Sequence, residues 1–153
     1  EKLETVWGLP PEEARLLAHL CGGRIGYAIA LHKTPELLDQ RNKRLDDHRR
    51  MLVSSRVERF AYADSMASDK DRLLQTLEIW QSFWRDVFLV ASGSQSPLAN
   101  LDRLDEIENL AERLGEGIAP RMIASLKRMI SLLEKNINLR LASEVLMLEL
   151  PRL

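Results

Sequence analysis

Apolar residues recur at intervals of three and four along most of the chain, which is the pattern of amphipathic helices. The most apolar stripe of this kind follows Asp69 and consists of Leu73, Leu77, Trp80, Trp84, Val87 and Ala91, widened by Leu74 and Phe88. We predict that this helix forms the centre of a bundle and that its tryptophans pack in the core rather than on nucleic-acid bases. No stretch alternates apolar and polar residues between turn signals, so the sequence predicts an all-α fold.

Residues that start and stop helices divide this pattern into segments. Thr34 and Pro35 are a typical N-cap and first helical residue, and Ser55 with Glu58 forms a capping box. Asp69 is expected to cap the central helix. Further breaks are expected at residues 92–100, at Gly115 or Gly117, and at residues 136–138.

The density of apolar residues changes along the chain and indicates two units. Residues 1–52 predict a small three-helix domain with a thin core. Residues 53–153 predict a denser helical bundle of about five helices. We therefore expect a boundary between two all-α domains after residue 52.

The composition is that of an ordinary globular protein. Of the 153 residues, 45% are hydrophobic and 29% are charged, and the formal net charge of -1 gives no overall attraction to nucleic acid or anionic membranes. The single cysteine, Cys21, cannot form an intramolecular disulfide and fits a reducing, cytoplasmic compartment. We expect no membrane span, because no apolar run approaches about 18 residues. We also expect a piece of a longer protein, since the chain begins with Glu1.

The three histidines do not form a catalytic or metal-binding pattern. His19, His32 and His48 lie in three different predicted helices, and none has an acidic residue three positions before it, as carboxylate di-metal bundles require. Nothing in the sequence pairs a nucleophile with a base. We therefore expect no catalytic residue, no metal site and no cofactor.

Charged residues are concentrated in two neighbouring helical segments of opposite sign. Residues 101–116 carry six acidic and two basic side chains, whereas residues 121–140 carry five basic and one acidic. The two segments are expected to pair within one bundle or between subunits of a ring, and nucleic-acid contact is a third alternative that lacks interleaved aromatic residues. Arg85-Asp86 predicts an ion pair at the bundle surface or between subunits. The candidate interface residues are Arg85, Asp86, Glu106, Glu108, Arg121, Lys127, Arg128 and Arg140.

Four stretches of the chain, taken in order, resemble the C-terminal half of the delta-prime subunits of the bacterial DNA polymerase III clamp loader. They are PPEEARLLAHLCGGRIGYAIAL, LLQTLEIWQSFWRDVFLVASG, PLANLDRLDEIENLAERL and LEKNINLRLASEVLMLELP. The resemblance implies an AAA+ lid over residues 1–52 and, over residues 53–153, a collar domain that packs with the collars of other subunits in a closed circle. It also implies that an N-terminal AAA+ module precedes this region and that delta-prime itself does not hydrolyse ATP.

The first of these stretches departs from the nucleotide-binding pattern of the family. In nucleotide-binding clamp-loader subunits the lid motif resembles Gly-Ser-x-Arg-x-Ala-Leu, and its arginine reaches the phosphates. When Gly23 and Ala28 are aligned with that motif, Gly26 takes the place of the arginine. Arg24 lies two residues earlier, about 200° around a helix, and is only a weak candidate for an anion contact. Gly22, Gly23 and Gly26 are expected to form a structural corner, with Gly26 leaving room for close helix approach.

The expected function is that of a scaffold and oligomerisation region without catalytic activity. The resemblance implies other clamp-loader subunits (delta and gamma/tau) as partners through the collar, with the sliding clamp and primed DNA contacted indirectly and no membrane contact. In such loaders, other subunits use ATP to place the clamp during DNA replication. Two alternatives stay open: the collar of a gamma/tau-type subunit, which Gly26 disfavours, and an unrelated helical enzyme or ligand-binding bundle. The second alternative requires a polar pocket converging on His19 or His48.

Overall fold

The computed structural model describes residues 2–21, 25–135 and 137–153. Within these ranges the chain forms nine α-helices, one short 3-10 helix and no strand, so the predicted all-α fold is confirmed. The helices are α1 (Lys2–Trp7), α2 (Pro11–Cys21), α3 (Ile25–Lys33), α4 (Pro35–Val53), α5 (Arg56–Met66), α6 (Lys70–Ala91), α7 (Leu104–Leu114), α8 (Ile118–Leu133) and α9 (Leu139–Glu149), with the 3-10 helix (Leu101–Arg103) before α7. Among the described helices, none has the length and hydropathy needed to cross a lipid bilayer.

Side-chain caps fix two helix starts where the sequence predicts them. The Ser55 hydroxyl accepts a hydrogen bond from the Glu58 N–H (3.3 Å), and the Glu58 carboxylate accepts one from the Ser55 N–H (2.7 Å), which completes the capping box before α5. Asp69 caps α6 by accepting a bond from the backbone N–H three residues later. Thr34 occupies the N-cap position of α4 before Pro35, but its side chain makes no capping bond.

The helix ends in the C-terminal half also follow the sequence. Helix α7 ends at Gly115, whose φ of 70° lies in the left-handed region that glycine adopts without strain. The predicted break at residues 136–138 falls between α8, which ends at Leu133, and α9, which begins at Leu139; Asn136 itself lies outside the described residues. There the Asn138 side chain accepts a bond from the Leu141 N–H (3.1 Å) and caps α9.

Helix α6 lies at the centre of the larger hydrophobic core, as predicted. It packs against α4, α7 and α8, and its side chains Leu73, Leu77, Trp80 and Trp84 have no exposed surface. Each such side chain contributes roughly 2 kcal/mol through burial of apolar area. The indole N–H of Trp80 donates to the Arg44 carbonyl (2.9 Å), so its one polar group is also satisfied. The tryptophans are therefore core residues, as the sequence predicts.

Helices α1 to α3 enclose a second, smaller core, formed by Leu3, Leu9, Ala14, Leu17, Cys21, Ala28 and Leu31. Helix α4 runs along both cores. Leu37 and Leu38 pack against the smaller core, while Leu45, Met51 and Leu52 belong to the larger one. The expected domain boundary after residue 52 stays a prediction.

Helices α5 and α9 pack against each other and close the larger bundle. Arg59, near the start of α5, bonds to carbonyl groups at the end of α9. Asp64, near the end of α5, pairs with Arg140 at the start of α9 (3.3 Å). The two helices are therefore antiparallel, and α9 lies between α5 and α8.

Candidate functional site

Only one residue of the predicted glycine corner can be placed, since Gly22, Gly23 and Arg24 lie outside the described residues. Gly26 is the second residue of α3 and is exposed. A Cβ atom added to Gly26 would meet no atom of the described residues within 4 Å, so the expected close helix approach is not observed among them at Gly26. Its φ is not positive either. Neither packing nor backbone conformation therefore requires glycine at position 26.

Asp86 is buried inside the bundle, although its position beside Arg85 predicts a contact at the surface or between subunits. One carboxylate oxygen accepts hydrogen bonds from the Ala99 N–H (2.9 Å), the Asn100 N–H (2.7 Å) and the Asn100 side-chain amide (2.8 Å). The other oxygen accepts from the Arg85 guanidinium (3.2 Å), so the predicted ion pair is present. Because Asp86 is 0% exposed, its assignment to a subunit interface is corrected: it fixes the loop that follows α6.

Asn100 connects Asp86 to Arg41, a buried arginine of α4 that sequence reasoning missed. The Arg41 guanidinium donates to the Asn100 side-chain oxygen (2.7 Å) and to both carboxylate oxygens of Asp102 (2.7 and 2.9 Å). Such bidentate, charge-assisted bonds are among the strongest in proteins. We call Asp86, Asn100, Arg41 and Asp102 the interior polar contact. It joins α4, α6 and the 3-10 helix.

Glu106, a predicted interface residue, is already paired within the chain. Its carboxylate accepts hydrogen bonds from Arg49 of α4 (3.0 Å) and from Arg103 (2.9 Å). Asp46 of α4 accepts another bond from Arg103 (2.7 Å). These bonds hold the start of α7 against α4. Glu108, in contrast, is exposed on α7, so it is the better placed of the two residues for contact with another molecule.

The predicted basic interface residues lie on the outer surfaces of α8 and α9. Arg128 pairs with Glu149 of α9, and Arg140 pairs with carboxylates of α5 and α9. Arg121 and Lys127 are exposed on α8. In the part of the chain that the structure describes, no ion pair joins the acidic segment to the basic one. Pairing of the two segments within the bundle, one of the expected alternatives, is therefore not observed there.

Arg59 is a second buried arginine that sequence reasoning missed. Its guanidinium donates five hydrogen bonds of 2.8–3.2 Å, all to main-chain carbonyl groups, and only 5% of the residue is exposed. The acceptors are the carbonyls of Met51, Leu52, Met147, Leu150 and Pro151. Because these carbonyls lie at the ends of α4 and α9, the cation also offsets the negative ends of two helix dipoles. Burial, together with the nearby charge of Arg152, lowers the pKa of Arg59.

His48 is enclosed by aromatic side chains of α6. Its ring lies 5.0 to 5.6 Å from the rings of Trp80, Phe83 and Trp84. Its Nε2 accepts a hydrogen bond from the Trp84 indole N–H (2.9 Å). Burial lowers the pKa of His48 to about 3, so the imidazole is neutral and serves as a hydrogen-bond acceptor in the core.

The other two histidines likewise make structural contacts. His19 donates from Nδ1 to the Leu98 carbonyl (2.6 Å) and so connects α2 to the loop after α6. His32 lies 3.0 Å from Glu13 and connects α3 to α2. Across residues 2–21, 25–135 and 137–153, no group of three or more His, Cys, Asp or Glu side chains is arranged to hold a metal ion.

Comparison with known protein families gives a match that covers most of the chain. The family model described as DNA polymerase III, delta subunit, C terminal, matches residues 34–151. Comparisons with curated protein sequences and with solved structures find no significant match. The family match extends from the start of α4 to the residues after α9. Since it covers well over half of the chain, this chain belongs to the family formed by the C-terminal region of DNA polymerase III delta subunits, which are components of the clamp loader.

Proposed function

We propose that this chain is the C-terminal region of a delta-prime subunit and that it acts as a scaffold of the clamp loader. The observation that carries the clamp-loader role is the family match over residues 34–151, whereas the choice of delta-prime rests on the four stretches that resemble delta-prime subunits and on Gly26. Residues 1–52 would be the AAA+ lid, and residues 53–153 the collar. The parent complex, the cytoplasmic DNA polymerase III holoenzyme, would place the sliding clamp on primed DNA with ATP hydrolysed by other subunits.

The polar groups inside the chain support a scaffold role rather than a catalytic one. Arg41, Arg59 and Asp86 each make several hydrogen bonds to groups of the chain itself. His48 is held neutral as the acceptor of an indole N–H. These groups join helices and loops, and the chemistry of a general base or nucleophile is not needed to explain any of them.

The residue at position 26 supports the delta-prime assignment over the gamma/tau type. Gly26 has no side chain with which to reach a phosphate, whereas the resemblance places a nucleotide-sensing arginine at this position in ATP-binding subunits. Since neither packing nor a positive φ requires glycine there, the missing arginine is consistent with a lid that does not sense nucleotide. We therefore propose that this chain binds and hydrolyses no ATP.

The partners we propose are the delta and gamma/tau subunits, contacted through the collar. Arg85, Glu108, Arg121 and Lys127 are exposed and available for such contacts. The sliding clamp and primed DNA would be reached through those subunits, without direct chemistry by this chain. Contact with a membrane is not part of the proposed role.

The proposal is tested with the full-length protein, co-expressed with the gamma/tau subunit and the second delta-type subunit of the same genome. We expect one stable complex on gel filtration, and no heat of ATP binding for the isolated protein in calorimetry, with gamma/tau as the positive control. If the protein fails to co-purify with gamma/tau, the clamp-loader role is wrong. Saturable ATP binding would instead refute only the assignment to delta-prime.

A delta subunit is the second candidate, because the description of the matching family names delta. Co-expression with gamma/tau and, in separate trials, with a reference delta subunit or a reference delta-prime subunit distinguishes the two. If this chain is delta-prime, it forms one complex together with the reference delta and competes with the reference delta-prime for one place. If it is delta, the two results are exchanged.

A further inference from the structure

Helix α9 is apolar on both of its sides, although only one side is covered in the chain. Its inner side chains Leu146 and Met147 are at most 2% exposed. On the outer side, Leu141, Val145 and Leu148 are 58%, 44% and 52% exposed. A helix that is apolar all round is normally buried on all sides. The outer side of α9 therefore has the composition of a contact surface.

A groove of about 280 Å³ runs along this outer side, between α8 and α9. Its apolar lining includes Leu132, Ile137, Leu141, Ala142 and Val145. We call it the α8–α9 groove. Its long shape between two antiparallel helices suits the apolar stripe of a third helix, which would bring its own i, i+3 and i+4 side chains into the groove.

The rim of the α8–α9 groove on the α8 side is basic. Arg121 and Arg128 are seven residues apart on α8, within about 20° of each other around the helix, and Arg121 lies one turn before Ser125, which lines the groove. Lys135 follows the end of α8 and comes two residues before Ile137, which also lines the groove. Arg128 lines the groove and is neutralised by Glu149. For Arg121 and Lys135, no ion-pair partner occurs among the described residues, so no described carboxylate offsets these two cations.

We infer that the α8–α9 groove holds an amphipathic helix with an acidic edge, contributed by a neighbouring clamp-loader subunit. The apolar floor and the cationic rim together specify that chemistry. Contact between an acidic helix of one subunit and a basic groove of the next is a head-to-tail contact, the type that builds rings. The inference rests on the proposed function.

Site-specific cross-linking in the assembled complex locates the occupant. The full-length protein, with a photoreactive phenylalanine analogue in place of Val145, is co-expressed with gamma/tau and the other delta-type subunit, irradiated, and analysed by peptide mass spectrometry. We expect a cross-link to an acidic amphipathic helix of one partner. The control has the same analogue at Phe88, an exposed apolar residue of α6 outside the groove, and should give no cross-link to that helix.

Charge reversal tests the rim. We expect the variant with Arg121→Glu and Lys135→Glu to bind its partners about tenfold more weakly at about 0.05 M salt, and the difference to shrink at about 0.5 M salt because ions screen exposed charges. The matched control reverses two exposed cations outside the groove, Arg56→Glu on α5 and Lys70→Glu at the start of α6, so that the change in net charge is the same. Circular dichroism verifies that the variants stay folded.

The outcomes separate the inference from the proposed function. If the wild-type protein does not assemble with gamma/tau, the proposed function is wrong and the inference falls with it. If the wild type assembles, but Val145 gives no cross-link or the rim variant binds as well as the control with Arg56→Glu and Lys70→Glu, only the inference is overturned. A cross-link to a helix without acidic residues also overturns it.

Discussion

Charged side chains are buried and hydrogen-bonded within the chain in the interior polar contact, but they are exposed along the α8–α9 groove. In the interior polar contact, Arg41 and Asp86 are buried, and groups of the same chain satisfy them. Along the groove, Arg121 and Lys135 are exposed beside apolar side chains that nothing in the described parts of the chain covers. Removing one partner of a buried, bonded charge leaves the other partner unsatisfied and strongly destabilises the fold. Exposed cations next to uncovered apolar surface contribute little to the fold and are suited to binding a partner.

Replacing Arg59 should have the largest effect on stability. Arg59→Met keeps much of the side-chain volume but removes five hydrogen bonds to main-chain carbonyls, of which those of Met51 and Leu52 each keep a bond from a backbone N–H. We expect a loss of about 4 kcal/mol in the free energy of unfolding, measured by urea denaturation. Arg56→Met, on the exposed side of α5, is the matched control and should change stability by less than about 0.5 kcal/mol. An equal, small effect of both changes would contradict the structural role of Arg59.

Asp86→Ala tests the interior polar contact itself. The change removes the acceptor of three hydrogen bonds from Ala99 and Asn100, and we expect a loss of about 3 kcal/mol. Arg85→Ala removes only the half-exposed partner of the same ion pair, so it should cost less than about 1 kcal/mol. Thermal or urea unfolding of the two variants measures the difference. If both cost the same, Asp86 acts through the ion pair and not through the loop.

His48 should make stability fall as the solution is acidified. Its pKa is lowered from 6.5 to about 3 in the folded chain, so the unfolded chain binds a proton at a higher pH than the folded chain does. The stability that His48 contributes is complete above pH 6.5 and is lost as the pH falls from there toward 3. Between about pH 7 and pH 5 we expect a loss of about 2 kcal/mol.

The variant His48→Gln isolates this dependence. Glutamine keeps an acceptor for the Trp84 indole but does not titrate, and the other two histidines are unchanged. Urea denaturation at a series of pH values should show a flatter pH dependence for the variant, even though the repacking lowers its stability at neutral pH. An unchanged slope would mean that His48 is not the titrating group.

Two neighbouring residues of α9 should distinguish the core side of the helix from the groove side, and the change at Val145 should have the smallest effect on stability. Leu146→Ala empties part of the core and should cost about 3 kcal/mol, since Leu146 is 2% exposed. Val145→Ala, on the groove side, should cost less than about 1 kcal/mol because its side chain is 44% exposed. Its effect should appear instead in assembly with partner subunits, measured by gel filtration. A loss of stability at Val145 as large as at Leu146 would show that the groove is part of the core.

The burial of two polar residues of α4 could have been predicted from their positions in the sequence. The apolar stripe of α4 reads as Leu38, Leu45 and Leu52, seven residues apart and apparently sparse. Arg41 and His48 lie at the intermediate positions of the same stripe, and both are buried. A polar residue in phase with a buried stripe is a candidate for an interior hydrogen-bond network. The partners of Arg41 could not be found in this way, since Asn100 and Asp102 are about 60 residues away.

The sequence by itself determined α2 to α9, the caps at Ser55 and Asp69 and the central position of α6, because periodicity and capping are set by residues within a few positions of one another. It did not predict α1, so the expected three-helix unit contains four helices, and Thr34 makes no capping bond. Only the tertiary structure decided which charges are interior. Asp86 and Glu106 look like surface acids in the sequence, but their partners come from distant segments. A charge is buried or exposed according to what packs against it, and that depends on contacts between residues far apart in the chain.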